Sequence, residues 1–284
     1  MARRIVCLTF DFDAVSGWIS RGLTSPTPMS RGEFGLVGAR RILALLAKYD
    51  IRATWFIPGH TIESFPDRCE EVVAAGHEIA HHGWTHVPPA NMTREEEEAG
   101  LARGSETIRK LCGSAPRGYR SPSWDLSPHT VDLLVGHGFR YDSSMMGDDF
   151  TPYYCRVGDQ APKDSAFIFG RTTEVVELPF TWGLDDFIAF EHVWTRNGIN
   201  PGNASPSRIY EIWAGDFDYL YDRLGEGTYI LTLHPQCIGR GHRLLMLERL
   251  VEHIQSRDGV TFKTMRDVAE EFKRSRPPGH SVRA

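Results

Sequence analysis

With 284 residues, 41% of them hydrophobic, the chain can bury one large core, and single α/β barrels commonly reach this length. A net charge of −5 gives no basic field for a nucleic-acid backbone, and no segment approaches the roughly 20 apolar residues of a membrane span. The five cysteines (Cys7, Cys69, Cys112, Cys155 and Cys237) are odd in number and without paired spacing, which fits reduced thiols in a cytoplasmic protein.

In chain order, two arginines precede a short apolar run that ends at Asp11. The run is too short for a secretory signal and reads as a buried first strand, 5–10. Ile42, Leu45, Leu46 and Tyr49 recur at helical spacing within 37–49. A second strand is expected at 53–57, a helix from 62 to 75 that stops at Gly76, and a third strand at 77–81. The acidic run 95–98 opens a helix, where negative charge suits the positive end of the dipole; that helix reaches Cys112 with Gly113 as its C-cap. Strands follow near 118–120, 139–142, 175–179 and 229–233. Ser127 and Pro128 begin a helix through 134, and further helices are expected at 208–224, 242–254 and 265–272.

This alternation of strands and helices favours a parallel α/β architecture, read here as a distorted (β/α) barrel in a single domain, 1–272. Lys273, Arg274, Arg276 and Arg283, beside Pro277, Pro278 and Gly279, read as a flexible tail, 273–284. Two stretches, 16–34 and 149–169, are rich in Gly, Pro, Ser and Thr and lack periodicity, so they read as long loops covering a site.

Asp11 and Asp13 stand two apart at the end of the first strand, where both carboxylates can project from one face. Two such carboxylates repel unless a cation lies between them, although a pair of turn caps would give the same spacing. His82 and His86, four apart after the third strand, suit convergence on one metal as well as they suit a surface cluster that includes His77 and His81. Strand-end carboxylates and histidines meet at one rim of a barrel, and Asp13, His82 and His86 would leave open positions on a divalent ion. His234, at the end of another apolar strand, is either a buried structural histidine or the acid that a departing nitrogen requires.

The segments 9–13 (TFDFD), 82–86 (HGWTH), 120–122 (RSP), 141–144 (YDSS) and 231–235 (LTLHP) resemble the ordered motifs of the polysaccharide deacetylase family, the NodB homology domain. The match spans about residues 5 to 270. The resemblance implies a metal-dependent hydrolase of non-peptide C–N bonds. Asp13, His82 and His86 would hold the metal, usually zinc, and Asp11 would be the general base. Arg120 would orient that base. His234 would be the general acid, with Asp142 the carboxylate that orients it. An oxyanion donor is expected from an amide of the 141–144 loop or the Arg120 loop. Trp124 and Trp182 are candidates to shape the substrate pocket, whereas Trp194 reads as core.

The spaced pair Asp11 and Asp13, where many members have adjacent aspartates, resembles a subgroup. That subgroup contains a peptidoglycan-deacetylase-like protein, cyclic imide hydrolases and allantoinase-like enzymes. The implied substrate is small: a cyclic imide, a ureide or an N-acylated compound. The alternatives are an N-acetylglucosamine polysaccharide deacetylase and a carbohydrate-binding protein that keeps the fold. The segment LDD at 184–186 resembles part of the same subgroup and carries no assigned role. Neither nucleic acid nor membrane is expected as a partner, and a homo-oligomer is.

Overall fold

The computed structural model describes residues 3–195 and 198–278. Its strands are β1 (Arg4–Asp11), β2 (Thr54–Ile57), β3 (Glu78–His81), β4 (Gly118–Tyr119), β5 (Tyr141–Asp142), β6 (Tyr153–Val157), β7 (Arg171–Glu177), β8 (Val193–Thr195), β9 (Gly198–Asn200), β10 (Gly227–Leu233) and β11 (Val260–Phe262). The main sheet runs β10-β1-β2-β3-β4-β5-β7-β6, with β11 pairing the start of β1. Every pairing within this sheet is parallel except β6 with β7, and β8 pairs β9 antiparallel apart from it. The sheet curls into a barrel, and a bridge between Asp185 and Thr232 ties the 182–186 segment to β10. Strands of such a sheet are covered on both faces, which is why β1 is apolar without alternation and buried from Ile5 to Asp11.

Helices α1 (Ser16–Ile19), α2 (Pro26–Lys48), α3 (Gly59–Ser64), α4 (Pro66–Ala74), α5 (Arg94–Cys112), α6 (Thr130–Gly136), α7 (Asp186–Phe190), α8 (Pro206–Tyr219), α9 (Pro235–Ile238), α10 (Gly241–Gln255) and α11 (Met265–Ser275) surround the sheet. The main core lies between it and the outer helices, from Leu8 and Trp55 to Leu46, Trp213 and Leu250. Thr93 and Glu96 close a capping box at the start of α5, and Gly113 ends it at φ 75°.

Five expectations need correction. The 16–34 stretch is not a loop, because α1 and most of the first turns of α2 occupy it. Its glycines conceal a helix whose close face requires them: a Cβ on Gly32 would meet the Ala14 and Val15 backbone, and one on Gly38 the Pro235 backbone. The 149–169 stretch contains β6, paired antiparallel with β7, and Gln160 bridges Ile168. The helix expected over 62–75 is two helices, broken where Pro66 cannot continue the first. Finally, α11 runs through Ser275, three residues into the expected tail; positions 279–284 of that tail, Arg283 among them, lie outside the described residues. Trp194 is 75% exposed on the β8–β9 hairpin, so it is not core. All five cysteines are free thiols, and no described helix is long and apolar enough to cross a membrane.

Candidate metal and hydrolase site

The C-terminal ends of β1, β3 and β10 converge on one cleft, the rim where α/β barrels concentrate function. Asp11 is the last residue of β1, and Asp13 follows two residues later with its carbonyl held by Thr61 Oγ1 at 2.6 Å. His82 and His86 sit on an irregular turn rather than a helix, with Gly83 at φ 71° and His86 at φ 59°. Backbone bonds from Gly59 to Gly83 (3.1 Å) and from His60 to Trp84 (2.9 Å) pin that turn to α3. All four side chains are buried.

Ligand atoms of Asp13, His82 and His86 lie within 4.8 Å of one another. His82 Nε2 is 3.5 Å from Asp13 Oδ1, and His86 Nε2 is 3.5 Å from Asp13 Oδ2. The carbonyl of Arg120 can only accept, so His82 Nδ1, 2.8 Å away, carries a proton, and in the neutral ring Nε2 presents a lone pair. Asp13 Oδ1 and His82 Nε2 have no hydrogen-bond partner though both are buried. Two acceptors left facing each other without a donor are costly in a protein interior, and a cation between them satisfies both. Burial pushes the Asp13 carboxyl up, against the pull of His82 and His234, as expected for an anion lacking its counter-charge. Burial, with the neighbouring His82 and Arg21, holds His86 well below its ordinary range, so its imidazole is neutral and able to ligate. The residues therefore fit a divalent metal.

Asp11 is differently placed. Arg120 Nη1 donates to its Oδ1 at 2.7 Å, while Oδ2 faces His82 Nε2 at 3.7 Å and His234 Nε2 at 4.0 Å. Burial alone would raise its pKa, but the Arg120 guanidinium, with His82 and His234, holds the carboxyl below the usual range. Arg120 is fully buried and also donates to Thr9 Oγ1 (2.9 Å), Ser143 O (3.3 Å) and Ser143 Oγ (3.1 Å), over the ring of Phe56. Four fixed contacts leave that guanidinium one position, and Asp11 one orientation.

His234 reaches the same cleft from β10. Its Nδ1 bonds Asp186 Oδ1 at 2.7 Å, and its backbone N–H donates to both oxygens of that carboxylate at 2.9 and 3.0 Å. Burial would depress the imidazole, but the Asp186 bond and the charges of Asp186, Asp185 and Asp13 outweigh it and push the pKa up to about 10. Asp186, not Asp142, thus orients His234. Asp142 ends β5 and takes the Ser144 hydroxyl at 2.6 Å, beside the buried Glu177 and Cys155. The expected oxyanion donors are also occupied: Arg120 N–H bonds His81 O, Ser121 N–H bonds Ser144 Oγ, Ser143 N–H bonds Tyr119 O and Ser144 N–H bonds Glu177.

The cleft is a cavity of about 130 Å³, open to solvent on one side. Trp124, stacked on Phe180 at 3.7 Å, and Trp182, edge-on to Trp124 at 4.5 Å, form one wall. Arg21, Asp185, Phe187 and Ile188 form much of the rest and have no counterpart among the expected site residues. The adjacent acids at 185 and 186 were visible in sequence, but a DD pair has no direction until its backbone bridges β10.

A polysaccharide deacetylase profile matches residues 2–141. A peptidoglycan deacetylase from Helicobacter pylori is 40% identical over 98% of this chain and 99% of its own length. The chain belongs to the polysaccharide deacetylase family. It is accordingly a hydrolase of the group that acts on C–N bonds. A crystal structure from Mycobacterium smegmatis, described as a polysaccharide deacetylase, superposes with a TM-score of 0.84 at 32% identity over 96% of this chain and 91% of that one. The Puue allantoinase shares the fold, with a TM-score of 0.76 at 24% identity over 97% and 92% of the two chains.

Proposed function

We propose that the cleft hydrolyses the N-acyl amide of an N-acetylated amino sugar of the peptidoglycan type, with zinc as the metal held by Asp13, His82 and His86. One carboxylate and two imidazoles are a common catalytic zinc donor set. The observation that carries this reading is the meeting of Asp11, the donor triad and His234 beneath the wall of Trp124 and Trp182, because an aromatic face suits the C–H face of a sugar ring. The near full-length relation to the H. pylori peptidoglycan deacetylase supports it.

When bound, the metal supplies Lewis acidity that polarises the amide carbonyl and lowers the pKa of water. Asp11, ionised and oriented by Arg120, accepts a proton from the attacking water through Oδ2. His234, whose Nδ1 proton is held by Asp186, delivers a proton from Nε2 to the departing nitrogen. Trp124 and Trp182 align the ring, and burial of the pocket floor excludes bulk water. Acetate release from N-acetylglucosamine oligomers and from muropeptides tests the reading; no release from either by zinc-loaded protein sinks it.

A second reading, opening of a cyclic imide or ureide, is favoured by the size of the cleft, which suits a single small ring. Both reactions begin with water attacking an amide carbonyl. Turnover of succinimide or hydantoin without acetate release from sugars would select it.

A further inference from the structure

Among the described residues, Arg21 is the only arginine or lysine lining the cleft. It follows α1, and its guanidinium lies over the Phe187 ring with its carbon 5.2 Å from the centroid. Nη1 donates to the carbonyl of Gly17, one of the five N–H bonds the group offers. Among the described residues no carboxylate stands within ion-pair distance of it. Gly17 makes the approach possible: a Cβ there would lie 3.2 Å from Asp13 Cβ and 3.3 Å from Arg21 Nη1.

The acids nearby have partners of their own. Asp11 holds Arg120, Asp186 holds His234, Asp13 belongs to the donor triad, and Asp185 Oδ1 takes the Ile188 N–H at 2.9 Å. A partly buried guanidinium without a counter-ion is costly, and burial indeed pushes Arg21 below its ordinary range despite the pull of Asp13. Its planar fork matches the two oxygens of a carboxylate, and the Phe187 face fixes the plane in which it is offered.

We propose that Arg21 reads a carboxylate on the substrate, so that the amide taken by this cleft is carried by an acidic molecule, an N-acetylated amino sugar bearing a carboxyalkyl ether. This rests on the deacetylase reading and narrows it to the acidic sugar of the alternating glycan where its ether carboxyl is free of peptide. Calorimetric binding of N-acetylmuramic acid and its neutral methyl ester to the zinc-loaded protein tests it without requiring turnover. The expected result is that the wild type prefers the acid by roughly tenfold to a hundredfold. Arg21→Gln should bring the ratio to near one, and Arg21→Lys should keep part of it. Arg21→Met deletes the charge with a stem of matched length, should the Gln variant not fold. Equal affinity of the wild type for acid and ester would overturn the proposal. So would a preference that survives in Arg21→Gln, because the carboxylate would then sit on another group, the metal included. Failure to release acetate from any sugar counts against the deacetylase reading alone, since the acid-to-ester ratio stands or falls independently.

Discussion

At the scale of single residues, chemistry is divided among carboxylates that differ only in what surrounds them. Asp13 faces imidazoles and lacks a donor, Asp11 is clamped by a guanidinium, and Asp186 is bonded to His234. Asp11→Asn should lower kcat roughly 10²- to 10⁴-fold while zinc content, read by atomic absorption, stays stoichiometric. Asp186→Asn should lower kcat roughly a hundredfold with metal retained. If Asp142→Asn gave the larger loss instead, the assignment of the His234 partner would be wrong.

Away from the reacting atoms, Asp142 and Glu177 form a buried acid pair behind the Ser143 and Ser144 turn. Burial pushes Asp142 up to about 6, and burial with the Asp142 charge pushes Glu177 well above its ordinary range. Raised carboxyl pKa values mean that the folded state binds protons the unfolded chain has already lost. Their stabilising contribution is therefore complete below about pH 4 and declines as pH rises through 6 and beyond. Glu177→Gln keeps an acceptor for the Ser144 and Met145 amides and stays neutral. It should match the wild type in urea unfolding near pH 5 and exceed it by about 1 kcal/mol at pH 8. A gap that does not widen with pH would contradict the raised carboxyl pKa values of this pair.

At the scale of elements, α2 links the two halves of the site. Gly32 lets it touch the backbone after Asp13, and Gly38 lets it touch Pro235, next to His234. The 3-residue spacing of Gly32, Gly35 and Gly38 keeps one face free of side chains, at some expense in helix propensity. Gly38→Ala would improve an isolated helix but has no room against the Pro235 carbonyl. Overpacking of this kind costs about 1–3 kcal/mol, so a lowered thermal midpoint is expected together with reduced kcat. An unchanged midpoint would show that α2 can move away freely. The same close packing explains why the segment was unreadable as a helix: glycine and proline counts signal a loop unless the surface they fit is known. By contrast, α5 was legible from its acidic first turn to Gly113, because such signals act within one turn of the chain.

At the scale of the whole molecule, β1, β3 and β10 bring together residues up to 223 positions apart, and the proposed metal ties the first two. Removal of the ion by a chelator should abolish hydrolysis and lower the melting temperature by several degrees. Excess zinc should restore both, because binding confined to the native state adds RT ln(1 + [L]/Kd) of stability. Activity that survives exhaustive chelation would remove the metal from the mechanism.

The sequence by itself determined the α/β barrel, the strand ends that carry Asp11, Asp13, His82 and His234, and the family to which their order belongs. Those are local signals: an apolar run, a polar residue at its end, and a recurring motif order. Only the tertiary structure decided that Asp186 rather than Asp142 serves His234, that Arg21 enters the cleft, and that 16–34 is largely helical. A carboxylate's partner and a glycine's neighbour lie across the sheet, in distances that no spacing along the chain encodes.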